Sequence, residues 1–114
     1  MSYDLKRLPT FDRQVKRLAK KYPSLKTDLK SFFDSLQAEP VQGAALGKGC
    51  YRVRMAIASK KQGKSGGVRV ITFVKVTQEV VYLMAMYDKS EKENLDAGEL
   101  DAYLDLIEDD TTTD

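Results

Sequence analysis

The chain has 114 residues, a formal net charge of +2, 42% apolar residues and 32% charged ones. That is the length of one domain with a single core and the composition of an ordinary globular protein. No apolar run is long enough to span a membrane, the start "MSYDLKRL" carries charges where an export segment would be apolar, and histidine is absent. The absence of histidine excludes Ser-His and Cys-His nucleophile pairs, His-built zinc sites and any imidazole acid–base step. A cytoplasmic protein is expected. Cys50 is the only cysteine, so no internal disulfide forms.

In chain order, "YDLKRL" (3–8) reads as a short edge strand. Pro9 and Thr10 open a helix, since proline suits a first turn. Phe11, Val15, Leu18, Ala19 and Tyr22 make one apolar stripe, with Arg13, Lys16, Arg17, Lys20 and Lys21 mainly off it. Pro23 ends that helix and starts a second, striped by Leu25, Leu29, Phe32, Phe33 and Leu36. The two form a helical hairpin packed on something flat. "QAEPVQGAALGKG" (37–49) reads as a Gly-rich connector.

From Cys50 the period changes to two. Tyr51, Val53, Met55 and Ile57 share one face, and Arg52 and Arg54 the other. In "VRVITFVKV" (68–76), Arg69, Ile71, Phe73 and Lys75 share a face. "TQE" (77–79) is a tight turn, and "VVYLMAMY" (80–87) is apolar on both faces, as a covered strand requires. Three strands joined by short links make an antiparallel meander. A last helix follows, with Asp96 and Glu99 at capping-box spacing and Leu100, Tyr103, Leu104 and Ile107 as its stripe. Residues 1–108 form the domain, and 109–114 an acidic, disordered tail.

Charge is unevenly placed. Residues 40–78 hold eight Lys/Arg and no Asp/Glu, whereas 88–114 hold eleven Asp/Glu and two Lys. The basic loop "SKKQGKSGG" (59–67) contains "GKS", but a phosphate-binding P-loop needs a glycine where Ala58 stands and a helix where a strand follows. A hairpin loop with solvated lysines is the plain reading. Against it, Arg52, Arg54 and Arg69 lie inside the flanking strands with no acid between residues 40 and 78 to pair with them. Like charges on adjacent strands repel, and an arriving polyanion relieves that.

The order strand, helical hairpin, meander, final helix, with "GKSGGVRVITF" and "VYLMAMYDKSEKENL", resembles the RelE/ParE superfamily of toxins from type II toxin–antitoxin modules, and its HigB-like RelE branch most of all. The resemblance implies an α+β, RelE-like fold: helices on one side of a curved, mostly antiparallel, four-stranded sheet, plus a short C-terminal helix. It implies an mRNA endoribonuclease that works on the ribosome and inhibits translation. There the ribose 2′-OH attacks the adjacent phosphate with no metal and no cofactor. By position, Arg52, Arg54, Arg69 and Lys89 match the catalytic basic residues, and Lys60, Lys61, Lys64 and Tyr87 would bind RNA. The tyrosine of some family members falls near Leu95 here, so Tyr87 is the nearest candidate for stacking; it also reads as the end of a core strand. Arginine is a poor base, which leaves Lys64, Lys89, the substrate or a ribosomal group to take the proton. Implied partners are a cognate antitoxin, the ribosome and mRNA. The other readings are a ParE-like toxin that binds DNA gyrase, and a non-catalytic RNA- or ribosome-binding protein.

Overall fold

Proline at position 9 sets the start of the first helix. The edge strand β1 (Asp4–Arg7) leads directly into α1 (Pro9–Lys21), whose first turn carries the proline. The computed structural model describes residues 2–60, 67–92 and 94–111. The second helix, α2 (Leu25–Ala38), completes the hairpin. Four strands follow: β2 (Ala44–Gly47), β3 (Cys50–Met55), β4 (Val68–Lys75) and β5 (Val80–Asp88). The chain then forms α3 (Glu99–Thr111), which extends into the stretch expected to be tail.

The sheet order is β1-β5-β4-β3-β2, with β1 parallel to β5 and every other pair antiparallel. Five strands stand where four were expected. The extra one is β2, inside the presumed connector. Apart from Leu46 its residues are small, and it pairs only with the start of β3, so it has no period-two pattern of its own. Lys48 and Gly49, with φ of 58° and 79°, turn the chain between β2 and β3. Positive φ at both central residues is what tight hairpin turns require.

Helices cover both faces of the sheet rather than one. The stripes of α1 and α2 (Phe11, Leu18, Leu25, Leu29, Leu36) meet Val53, Val70, Leu83 and Met86. On the other face Tyr103 and Ile107 of α3 meet Cys50, Ile71, Tyr82 and Ala85. That double cover explains why all of β5 is buried. The capping-box spacing does place the Glu99 carboxylate as acceptor for the Asp96 N–H, at 3.0 Å.

One edge of β5 is finished by a helix. β1 pairs along β5 only as far as Leu83, and the register of β4 on β5 shifts between Ile71 and Thr72. Beyond that point Thr10 Oγ1 donates to the Met84 carbonyl at 2.6 Å, and the Met86 N–H donates to Gln14 Oε1 at 2.7 Å. Side chains of α1 therefore occupy ladder groups that an edge strand would leave open.

Candidate nucleic-acid interface

Register brings the arginines together. Arg54 pairs with Arg69, Arg69 pairs with Tyr87, and one step along Arg52 pairs with Ile71. Directly paired residues point to the same side of a sheet, and so do residues two apart on one strand. Arg52, Arg54, Arg69 and Tyr87 therefore share the face that carries α3. The helix covers Ile71 and Tyr82 on that face, and the arginine row lies toward the strand ends from which the basic loop leaves.

Their exposure differs. Arg54 is exposed, and among the described residues it makes no hydrogen bond or ion pair. Arg52 is half-buried, and its guanidinium donates to the Asn94 side-chain carbonyl. Arg69 is only 1% exposed. As folded it lies beneath the surface and does not present a contact. Tyr87 is 4% exposed with Lys92 Nζ 5.3 Å from its ring centre, so it is the strand end and not an open stacking platform. Lys89 is exposed one residue past β5, and its N–H meets the Gly67 carbonyl at 3.4 Å. The backbone of Lys60 ends a short 3₁₀ turn, Ala58–Lys60; Lys61 and Lys64 lie outside the described residues.

The stems of the basic loop are held on both sides. Asp28 Oδ2 accepts from the Ala58 N–H at 3.0 Å, and the Ser59 N–H donates to Ser24 Oγ at 2.9 Å. At the exit, a Cβ on Gly67 would collide with the Met55 carbonyl oxygen. Glycine there is what lets β4 close on β3 and oppose Arg69 to Arg54.

Several residues that frame the site were not singled out in the sequence. The segment after β5 is tied down by Arg17, which donates twice to the Glu91 carboxylate at 3.1 Å. Lys92 binds Glu99 at 2.7 and 2.9 Å, and Asn94 receives Arg52. On the opposite face Asp88, fully buried, accepts from the Tyr22 hydroxyl and pairs with Lys21 at 3.5 Å. Burial pushes the Glu99 carboxyl up, but the Lys92 ammonium, the Asp96 N–H and the Tyr103 hydroxyl outweigh it and hold the group below its usual value. Burial, then the Glu99 carboxylate, pushes Tyr103 up to about 12. The Arg17–Glu91, Arg52–Asn94 and Tyr22–Asp88 contacts join segments 42 or more residues apart, so no local spacing signals them; Asp96–Glu99 and Glu99–Tyr103 are local.

Among the described residues no cluster of His, Cys, Asp and Glu is placed to hold a metal ion, and no helix is long and apolar enough to cross a membrane. The arrangement offers fixed positive charge. Such charge suits a phosphodiester whose negative charge grows during reaction.

Comparison with known proteins identifies the family and the fold. Residues 11–112 match the family described as the RelE toxin of the RelE/RelB toxin–antitoxin system. The chain belongs to that family. Its fold is similar to a free, arginine-substituted RelE toxin of E. coli, at 15% identity and a TM-score of 0.58, covering 81% of this chain and 88% of that one. It is likewise similar to the RelBE2 toxin–antitoxin complex of Mycobacterium tuberculosis, at 16% identity and a TM-score of 0.59, covering 77% and 99%. A third similar structure is the intact E. coli RelBE complex, at 16% and 0.58, covering 82% and 100%. No curated protein sequence matches the chain.

Proposed function

We propose that this RelE-family toxin is an mRNA endoribonuclease that acts on the translating ribosome in the cytoplasm. The observation that carries this reading is the in-register opposition of Arg54 and Arg69, with Arg52 on the same face and no acidic residue between 40 and 78. Cationic side chains gathered on one sheet face suit a polyanion backbone. A ribose-phosphate strand laid along the row meets that charge.

In the proposed reaction the 2′-OH attacks the adjacent phosphorus, the P–O5′ bond breaks, and a 2′,3′-cyclic phosphate forms. Arg54 contacts the phosphate, Arg52 steadies the strand beside it, and buried Arg69 adds field in a medium where water screens little. Lys89 is assigned to the leaving 5′ oxygen, which it protonates. Arginine does not take the 2′-OH proton, so that step falls to a group outside the row. The partner that silences the toxin is a cognate antitoxin; the RelBE complexes of E. coli and M. tuberculosis support that reading.

The test is a cell-free translation reaction read by primer extension. Codon-phased cuts that need ribosomes, and that vanish in the Arg52→Ala/Arg54→Ala/Arg69→Ala variant, are the expected result. Intact mRNA together with inhibited gyrase supercoiling overturns the proposal.

A further inference from the structure

The short strand β2 leaves a gap at the edge of the sheet. It pairs with β3 from Gly47, opposite Cys50, to Ala44, opposite Arg52, while β3 runs on to Met55. A Cβ on Gly43 would collide with the Arg52 carbonyl oxygen, and one on Gly67 with the Met55 carbonyl oxygen. The Arg52 backbone therefore faces β2, and the Met55 backbone faces β4. Successive residues of a strand alternate between the two sides. The Arg54 N–H and C=O thus face the lane beyond the end of β2.

Two clefts meet at this lane and share Gln42 and Arg54. One, of ≈ 440 Å³, holds Arg52 and Arg54 beside Gly43 and Ala44. The other, of ≈ 260 Å³, lies against α2 and holds Asp28, Ser31 and Ser35. The groove carries cations at one end and a carboxylate at the other. A phosphate suits the first end and is repelled at the second.

Gln42 is fixed between the two. Its Nε2 donates to the Ser35 carbonyl at 3.2 Å, to Ser35 Oγ at 2.9 Å and to the Glu39 carbonyl at 2.8 Å. Carbonyl oxygens only accept, so the amide cannot turn over without losing these bonds. Its Oε1 has no partner among the described residues. Asp28 Oδ2 accepts from Ser24 Oγ at 2.8 Å and from the Ala58 N–H at 3.0 Å, which leaves Oδ1 as a further acceptor. The amide and the carboxylate of the groove both call for a donor.

Size and chemistry choose the occupant. An added β-strand needs a run of ladder groups. The lane offers one residue's pair, since β2 fills it as far as Arg52 and β3 ends at Met55. One N–H beside one C=O suits the edge of a nucleobase, where a donor lies next to an acceptor. Bases of a single RNA strand splay out readily. With Arg54 on the phosphate, a base of the same strand reaches over the sheet edge into the lane.

We propose that the lane between the end of β2 and α2 seats a nucleobase with an exocyclic amino group, and that Gln42 selects it over uracil by accepting from that group. The proposal rests on RNA as the ligand of the arginine row and adds a specificity-determining residue beside it.

The experiment measures binding of the purified protein to oligocytidine and oligouridine by fluorescence anisotropy. Both carry 2′-fluoro sugars, which hold no 2′-OH, so cleavage plays no part. Wild type is expected to bind the cytosine strand at least about fivefold more tightly. Gln42→Met should bring the two to parity. Arg54→Ala should weaken both alike, because phosphate contacts carry no sequence information. A strand of cytosines dimethylated on the amino nitrogen should bind wild type no better than oligouridine, a comparison that leaves the protein unaltered. Equal binding of cytosine and uracil by wild type overturns the proposal. So does a cytosine preference that survives dimethylation, or that survives Gln42→Met in a protein shown folded by circular dichroism. A wild type that binds neither strand overturns it as well; the proposed function falls only if ribosome-dependent cleavage is absent too.

Discussion

Arg54 and Arg69 stand directly opposite each other on β3 and β4, one exposed and the other 1% exposed. Arg54 is exposed, so Arg54→Ala is expected to change stability by no more than about 0.5 kcal/mol. The same change should lower ribosome-dependent cleavage by about 10²-fold. Thermal melts beside primer extension check the pair; activity loss that merely follows loss of fold would remove Arg54 from the site.

Gly67 governs how closely those strands approach. An added Cβ meets the Met55 carbonyl, and backbone cannot yield as a side chain tip does. Gly67→Ala should cost about 1–3 kcal/mol in urea unfolding and lower cleavage as well, because β4 is pushed off β3 at the end where Arg69 begins its pairing.

The Tyr22 hydroxyl donates to the fully buried Asp88 carboxylate, joining the end of α1 to the end of β5. Tyr22→Phe keeps the ring and removes that donor. The loss expected is about 2 kcal/mol, the range for a hydrogen bond to a charged group, measured by denaturant unfolding. A change below a few tenths would mean that other groups suffice to hold Asp88.

At the finished edge of β5, Gln14→Leu removes the acceptor for the Met86 N–H. Hydrogen exchange at Met86 should accelerate by about tenfold, while amides at Val81 and Leu83, which pair with β1, stay protected. Uniform acceleration along β5 would point to global destabilisation instead.

Glu99 sets an acid limit. Its folded value lies below the ordinary 4.5, so it stabilises the fold above that pH, and the contribution is lost as pH falls through the lowered folded value. Wild type should therefore lose melting temperature on acidification below about 4.5 more steeply than Glu99→Gln. Parallel curves for the two proteins would remove Glu99 from the acid response.

Much of the fold was legible because helices and strands write their periods locally. The stripes through Phe11 and Leu25 marked α1 and α2, and the alternation Tyr51–Arg52–Val53–Arg54 put two arginines on one face before any partner strand was known. β2 was not legible, since the four residues Ala44–Gly47, with Leu46 their one large side chain, are too few to show a period. The side taken by α3 was not legible either. A stripe shows that a helix packs, not on which face.

The amino-acid sequence by itself determined the chemistry on offer: no imidazole, a middle rich in cations and empty of acids, and arginines at alternate positions of a strand. Tertiary structure alone decided that Arg54 meets Arg69, that Arg69 and Tyr87 are buried, and that Arg52 reaches Asn94, 42 residues away. Periodicity is a property of neighbouring dihedral angles, whereas register and burial arise only when segments far apart in the chain pack against one another.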